Sequence, residues 1–152
     1  MDGHQAVSGD RRVDTRWHGT LAVPADRLLH CAIRGFPTDL DWILLTLGPH
    51  QPFLVLQSAD RAALTFIVCD PWVFWPTYSL PDVIADVPGR PGDRAVLVLC
   101  QFRPVPSANL LAPLVLDRPT RRGRQVILTG PYAVRTPFPV PSSLATAVKE
   151  VT

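Results

Sequence analysis

The sequence is nearly without lysine and glutamate: Lys149 and Glu150 are the only ones, side by side near its end. Arginine and aspartate carry almost all the remaining charge. Charged residues make up 18% and the net charge is +2 at pH 7, which gives no electrostatic case for a nucleic-acid partner. Long apolar runs are missing too. None approaches the roughly 20 residues needed to cross a bilayer, so no membrane association is expected. Met1 to Asp14 is polar and lacks the apolar stretch of a secretory leader, so the expected location is the cytoplasm.

Chelating and catalytic patterns are equally scarce. The three cysteines, Cys31, Cys69 and Cys100, are odd in number and far apart in sequence. Each lies in or beside an apolar run, which reads as buried free thiols in a reducing compartment. Zinc sites want closer pairs. His18, His30 and His50 have no carboxylate or cysteine at helical or finger spacing. His30 and Cys31 would point to opposite faces of a strand. Ser58 and Ser107 have no visible base partner, and there is no nucleophile elbow or phosphate loop. The expectation is a protein without cofactor, metal or catalysis.

What is present is strand grammar. At 152 residues and 47% hydrophobic content, the chain suits one domain with a real core. Seventeen prolines fall between apolar runs, which favours short strands and turns over long helices. Val13–His18 and Leu21–Val23 flank Gly19-Thr20 as a hairpin. Leu29–Ile33 and Ile43–Leu47 read as strands, with Arg34 to Pro37 a turn. Phe53–Leu56 and Leu64–Cys69 are successive buried strands ending in Gln57-Ser58 and Asp70-Pro71, with one helical turn at Asp60–Ala63 between them. Ala95–Phe102 contains the unbroken run Val96 to Leu99, which predicts burial on both faces. Leu110–Leu116 and Gln125–Leu128 read as strands joined by a basic turn, Asp117–Arg124. Pro81–Val87 is the interior helix candidate, with proline and aspartate in its first turn. The expected fold is all-β: a small antiparallel barrel-like or strongly bent sheet with one or two short helices. Residues 1–12 are expected to be disordered and 13–138 to form one β domain. Residues 139–152 are expected to be a tail, which a short helix capped by Ser142 or Ser143 would suit.

Trp72, Phe74, Trp75 and Tyr78 concentrate aromatic surface in one segment. They serve either as core or, where one or two stay exposed, as anchors for a partner. Asn109 either caps a turn or hydrogen-bonds a partner's backbone. Arg118, Arg121, Arg122 and Arg124 form either a solvated hairpin tip or an RNA contact, although no aromatic platform interleaves with them.

Several segments, in order, resemble one family. Gln51-Pro-Phe-Leu-Val-Leu-Gln-Ser58 is followed by Thr65-Phe-Ile-Val-Cys-Asp-Pro-Trp-Val-Phe-Trp-Pro-Thr-Tyr78. Val13-Asp-Thr-Arg-Trp-His-Gly19 and Gly35-Phe36 precede them. Asn109-Leu-Leu-Ala-Pro-Leu-Val115 and Gln125-Val-Ile-Leu128 with Tyr132 follow. Together they resemble the flagellar assembly factor FliW family from about Val13 to Phe138. That resemblance implies a cytosolic, non-catalytic regulator, and the proline-punctuated strands lead us to expect a monomer. It would bind newly made flagellin and the translational repressor CsrA, so that flagellin export frees it to relieve repression. Under this reading Asp70, Trp72, Phe74, Trp75, Tyr78, Asp82 and Asn109 are the candidate partner contacts, with no direct nucleic-acid binding. The alternative is a small RNA-binding β-barrel that uses the arginine turn. Salt dependence separates the two, because phosphate binding weakens steeply with salt.

Overall fold

The computed structural model describes residues 9–49 and 52–139. β1 (Arg11–Asp14) and β2 (Thr20–Val23) form an antiparallel hairpin with Val13 opposite Leu21. β1 therefore starts within the segment 1–12 expected to be disordered; residues 1–8 lie outside the described residues, as does the expected tail helix after Pro141. β3 (Leu29–Ala32), β4 (Asp41–Thr46), β5 (Leu54–Ser58), β6 (Thr65–Cys69) and β7 (Arg94–Gln101) follow as an antiparallel meander. β8 (Ser107–Ala108) and β11 (Thr136–Pro137) form a short flap on the end of β7. β9 (Leu114–Asp117) pairs with the first half of β7, and β10 (Arg122–Gln125) pairs with both β9 and β3.

These pairings close a barrel of seven strands, β3 to β7 with β9 and β10. The β10–β3 pair is parallel, and every other pair is antiparallel. Ring parity demands this. Strand direction cannot alternate all the way round a ring with an odd number of members, so one neighbouring pair must run parallel. Closure removes most of the exposed edge that an open sheet of this size would carry.

Alternation along the strands sorts the apolar residues into three clusters. Cys31, Trp42, Leu56, Val68, Leu97 and Leu114 fill the barrel. Val96, Val98 and Val115, on the outer face of the same strands, are covered by Phe74, Tyr78, Leu110, Val126 and Phe138. Val13 and Val23 of the hairpin cover Ile43 outside β4. The run Val96 to Val98 is thus buried on both faces, as its continuity predicts.

Three local expectations fail. Pro81–Val87 is not a helix but irregular backbone with a turn. Arg94 donates from Nη1 to the carbonyl of Pro81 at 2.7 Å and from Nη2 to that of Asp82 at 2.6 Å. Those acceptors would otherwise serve the first helical turn, and Asp86 sits at φ +63°. Asp60–Ala63 is a turn closed by Leu64 N–H donating to Arg61 O, at 3.1 Å, rather than a helical turn. The last two core strands are shifted. The side chain of Asn109 accepts from Ala112 N and Pro113 has no N–H to give, so regular pairing starts at Leu114. β10 ends at Gln125, where the sequence pattern begins its strand, although Val126 and Leu128 still donate to Pro113 O and Leu111 O.

Candidate interaction surface

The segment after β6 is held from within. Asp70 ends the strand and accepts from Trp72 N at 2.9 Å, while Pro71 opens a single 3-10 turn. This aims Phe74 and Tyr78 inward, each 4% exposed. Phe74 packs against Phe53 and Phe138. The Tyr78 hydroxyl donates to Leu110 O at 2.7 Å. Burial, with a smaller contribution from Tyr132, pushes its phenol pKa up. Trp75 is half-buried, stacked on Phe138. Trp72 remains 38% exposed with Val73 beside it at 42%, its Nε1 donating to Tyr78 O at 2.6 Å. So two of the four aromatics are core, one is a wall, and Trp72 presents surface.

Asp70 and Asp82 are exposed. Asn109 is separate from the aromatic segment. Its Oδ1 accepts from Ala112 N at 3.0 Å, which is the turn-capping role, and its Nδ2 makes no bond among the described residues. It lies in a groove of about 280 Å³ with Phe66, Leu99 and Val134, beside the pairing of β7 with β8. Val134 and nearby Ile127 are half-exposed. The structure therefore gathers Asp70, Trp72, Phe74, Trp75 and Tyr78 in one segment and leaves Asp82 and Asn109 apart.

The arginine turn is not a uniform solvated tip. Arg118 and Arg122 are exposed, but Arg124 Nε donates to Ala85 O at 2.9 Å and Arg121 is half-buried. Among the described residues the arginine–ring contacts are Arg16 over Trp17 and Arg61 over Phe36, neither in this turn. No group of three or more His, Cys, Asp or Glu side chains among the described residues is placed to hold a metal. Burial pushes the Cys31 thiol up to about 12. Cys69 and Cys100 lie on adjacent strands with their sulfurs 3.5 Å apart; that contact, burial and the charge of Cys69 raise the Cys100 pKa.

Two polar assemblies escaped sequence reasoning. Gln57, fully buried, accepts from Arg16 N at 2.9 Å, and its Nε2 donates into a ring of carbonyls that includes Ser58 O and Ala62 O. Its place just after an apolar run was legible, but its partners are remote. Asp39, 2% exposed, accepts from Arg61 Nε at 2.9 Å, from Arg61 Nη2 at 2.6 Å and from Ser58 Oγ at 3.2 Å. No motif marks Asp39. The Arg61 hydrogen bonds hold its carboxyl below the usual range; burial opposes them, and the Arg61 charge and Ser58 hydroxyl add to them. On Asp41 burial alone would raise the pKa, but bonds from His30 and Arg11 outweigh it and lower it.

A lowered folded-state pKa contributes stability that is complete above the unfolded value, about 4, and is lost as pH falls through the folded value. Asp39→Asn is therefore expected to lower the urea midpoint at neutral pH, and the gap from the unaltered protein to narrow as pH falls below about 4. Urea titrations at stepped pH check this. A gap that stays constant down to strongly acidic pH would show that the Asp39 charge is not what stabilises the fold.

Comparison with known proteins places this geometry. The family model described as FliW protein matches residues 12–138. The flagellar assembly factor FliW of Bacillus pumilus is 30% identical over 125 residues, covering 76% of this chain and 87% of the relative. That of Geobacillus kaustophilus is 32% identical over 127 residues, covering 78% and 88%. A crystal structure of the flagellar assembly factor FliW superposes with a TM-score of 0.72 at 30% identity, covering 85% of this chain and 99% of that one.

Proposed function

This chain belongs to the FliW family of flagellar assembly factors, and we propose that it acts as a cytoplasmic monomer that binds flagellin and the translational regulator CsrA in competition. Flagellin export would then free it to relieve CsrA repression. The observation that carries this reading is the match of the FliW family model over residues 12–138. Among the described residues no helix is long and apolar enough to cross a membrane, which fits a soluble partner. Trp72, flanked by exposed Val73 and Asp70, is the proposed anchor, because tryptophan is enriched among the residues that dominate binding energy at interfaces. Asn109 Nδ2 offers a donor to a partner's backbone on the neighbouring face. Phe74 and Tyr78 hold the shape of the segment from beneath.

Calorimetric titration with the organism's own flagellin and CsrA, separately and in competition, tests the proposal. Binding to each in the micromolar range or tighter is expected. The coupling must be reciprocal: flagellin weakens CsrA binding by the factor by which CsrA weakens flagellin binding. Trp72→Ala is expected to weaken binding to at least one partner about tenfold, as hot-spot tryptophans do. Absence of binding to both at tens of micromolar would overturn the function while leaving the fold untouched.

A further inference from the structure

The barrel wall has an opening beside β4. Ala59 N donates to Asp41 O, and hydrogen-bonded pairs alternate along an antiparallel ladder. With Ile43 opposite Gln57 and Leu45 opposite Val55, residues 41, 43 and 45 therefore bond to β5. The N–H and C=O groups of Leu44 and Thr46 turn the other way, toward the β3 side. β3 pairs with β4 only at Leu29–Trp42 and His30–Asp41, because Ala25–Arg27 forms a 3-10 turn instead of extending the strand. No described strand lies beside Leu44 and Thr46 on that side.

A groove of about 520 Å³ occupies the gap, lined by Leu21, Val23, Leu29, Ile43, Leu44 and Leu45 together with Arg121. Leu44 is 38% exposed there. Arg121 holds an unusual position. Its φ is +58°, a conformation that non-glycine residues avoid. The backbone is pinned on both sides, N–H donating to Asp117 O at 2.7 Å and C=O accepting from His30 N at 2.8 Å. Its Nε is buried without an acceptor. Strained backbone clusters at functional sites, and a buried donor without an acceptor calls for an explanation of its own. Arg27 and Asp26 also line it, so the groove carries two cations to one anion.

We infer that this groove is a strand-docking site, in which an extended partner segment pairs with the free edge of β4, buries apolar side chains against Leu21, Ile43 and Leu45, and presents a carboxylate to Arg121. The inference rests on the protein-binding reading above. Charge complementarity selects the partner: a groove with excess positive charge suits an acid-bearing segment of flagellin, whereas an RNA-binding regulator must present basic surface to phosphate. Backbone pairing supplies the affinity, and the alternate side chains with the carboxylate supply the choice of segment.

The test titrates the full chain and two variants with the organism's flagellin. Arg121→Gly deletes the guanidinium at a position where glycine suits the backbone, so the fold is expected to survive. Leu44→Glu sets a carboxylate in the groove, opposing the partner's own. Each is expected to weaken flagellin binding at least tenfold, and amide hydrogen exchange of Leu44 and Thr46 is expected to slow in the wild-type complex. Wild-type affinity in both folded variants, or unchanged exchange at both amides, would overturn the docking site and leave the proposed function standing. No binding of flagellin to the wild-type chain would overturn both.

Discussion

Gly123→Ala is expected to cost about 4 kcal/mol or more of folding stability, enough to prevent a stable fold in a domain of ordinary margin. Gly123 lies within β10, between β9 and β3, at the closure of the barrel. A Cβ built there falls 1.9 Å from Val115 O, 2.7 Å from Leu116 Cα and 2.8 Å from Val115 C. All three atoms belong to the backbone of β9, so no side chain can swing aside. Relief requires β10 to leave β9, which also opens the parallel pair with β3 and exposes the barrel interior at Leu114 and Leu116. The constraint is space rather than dihedral angle. Gly35 is the contrast: its φ is +91° with open space at the Cβ position, so alanine there meets only backbone strain of about 1–2 kcal/mol. Urea denaturation and near-ultraviolet circular dichroism of the two variants check the ranking. A Gly123→Ala protein that loses less than about 1 kcal/mol would show that the closure is looser than these distances describe.

Gln57→Leu is expected to cost about 3 kcal/mol, although leucine is close in size and far more apolar. Burial of a larger apolar group does not compensate, because the partners of the amide stay in place. Arg16 N loses its acceptor in the hairpin, and the carbonyls of Ser58 and Ala62 lose their donor, whereas Arg61 O and Leu64 O keep the backbone N–H groups of Leu64 and Ser58. A buried polar group stripped of its partner costs about 1–3 kcal/mol, and here the buried Ser58 O is stripped together with the part-buried Arg16 N and Ala62 O. Gln57 also joins the separate β1–β2 sheet to the β5–β6 turn, so the variant is expected to loosen the hairpin first. Hydrogen exchange at Val13 and Leu21 would rise before global unfolding. Equal stability of the variant and the wild type would mean that these carbonyls find water instead.

The strands were legible because each depends on neighbours in sequence. Val96 to Leu99 can be read as buried on both faces from continuity alone, and Asp70-Pro71 marks the end of β6 by turn chemistry. The failures came where distant residues intervene. Pro81–Val87 has an acceptable helix start, but Arg94 claims its first carbonyls. Leu110 to Pro113 are apolar enough for a strand, but the Asn109 side chain turns the chain there. Gly123 reads as a turn glycine in sequence, whereas it is a strand residue under the backbone of β9. For the candidate surface, the sequence located the aromatic segment but not its orientation: Trp72 outward, Phe74 and Tyr78 inward. Arg121 read as one of four tip arginines, and only its backbone and its unmatched Nε separate it from Arg118 and Arg122.

By itself, then, the sequence determined the all-β class, most of the strands and the family, since periodicity, turn residues and ordered motifs are local properties. The tertiary structure alone decided the parallel closure of a seven-membered ring, the exposure of each aromatic, the buried partners of Gln57 and Asp39, and the open edge of β4. These depend on which strands meet, and that is set by the summed burial of residues far apart in the chain, where no local pattern records the outcome.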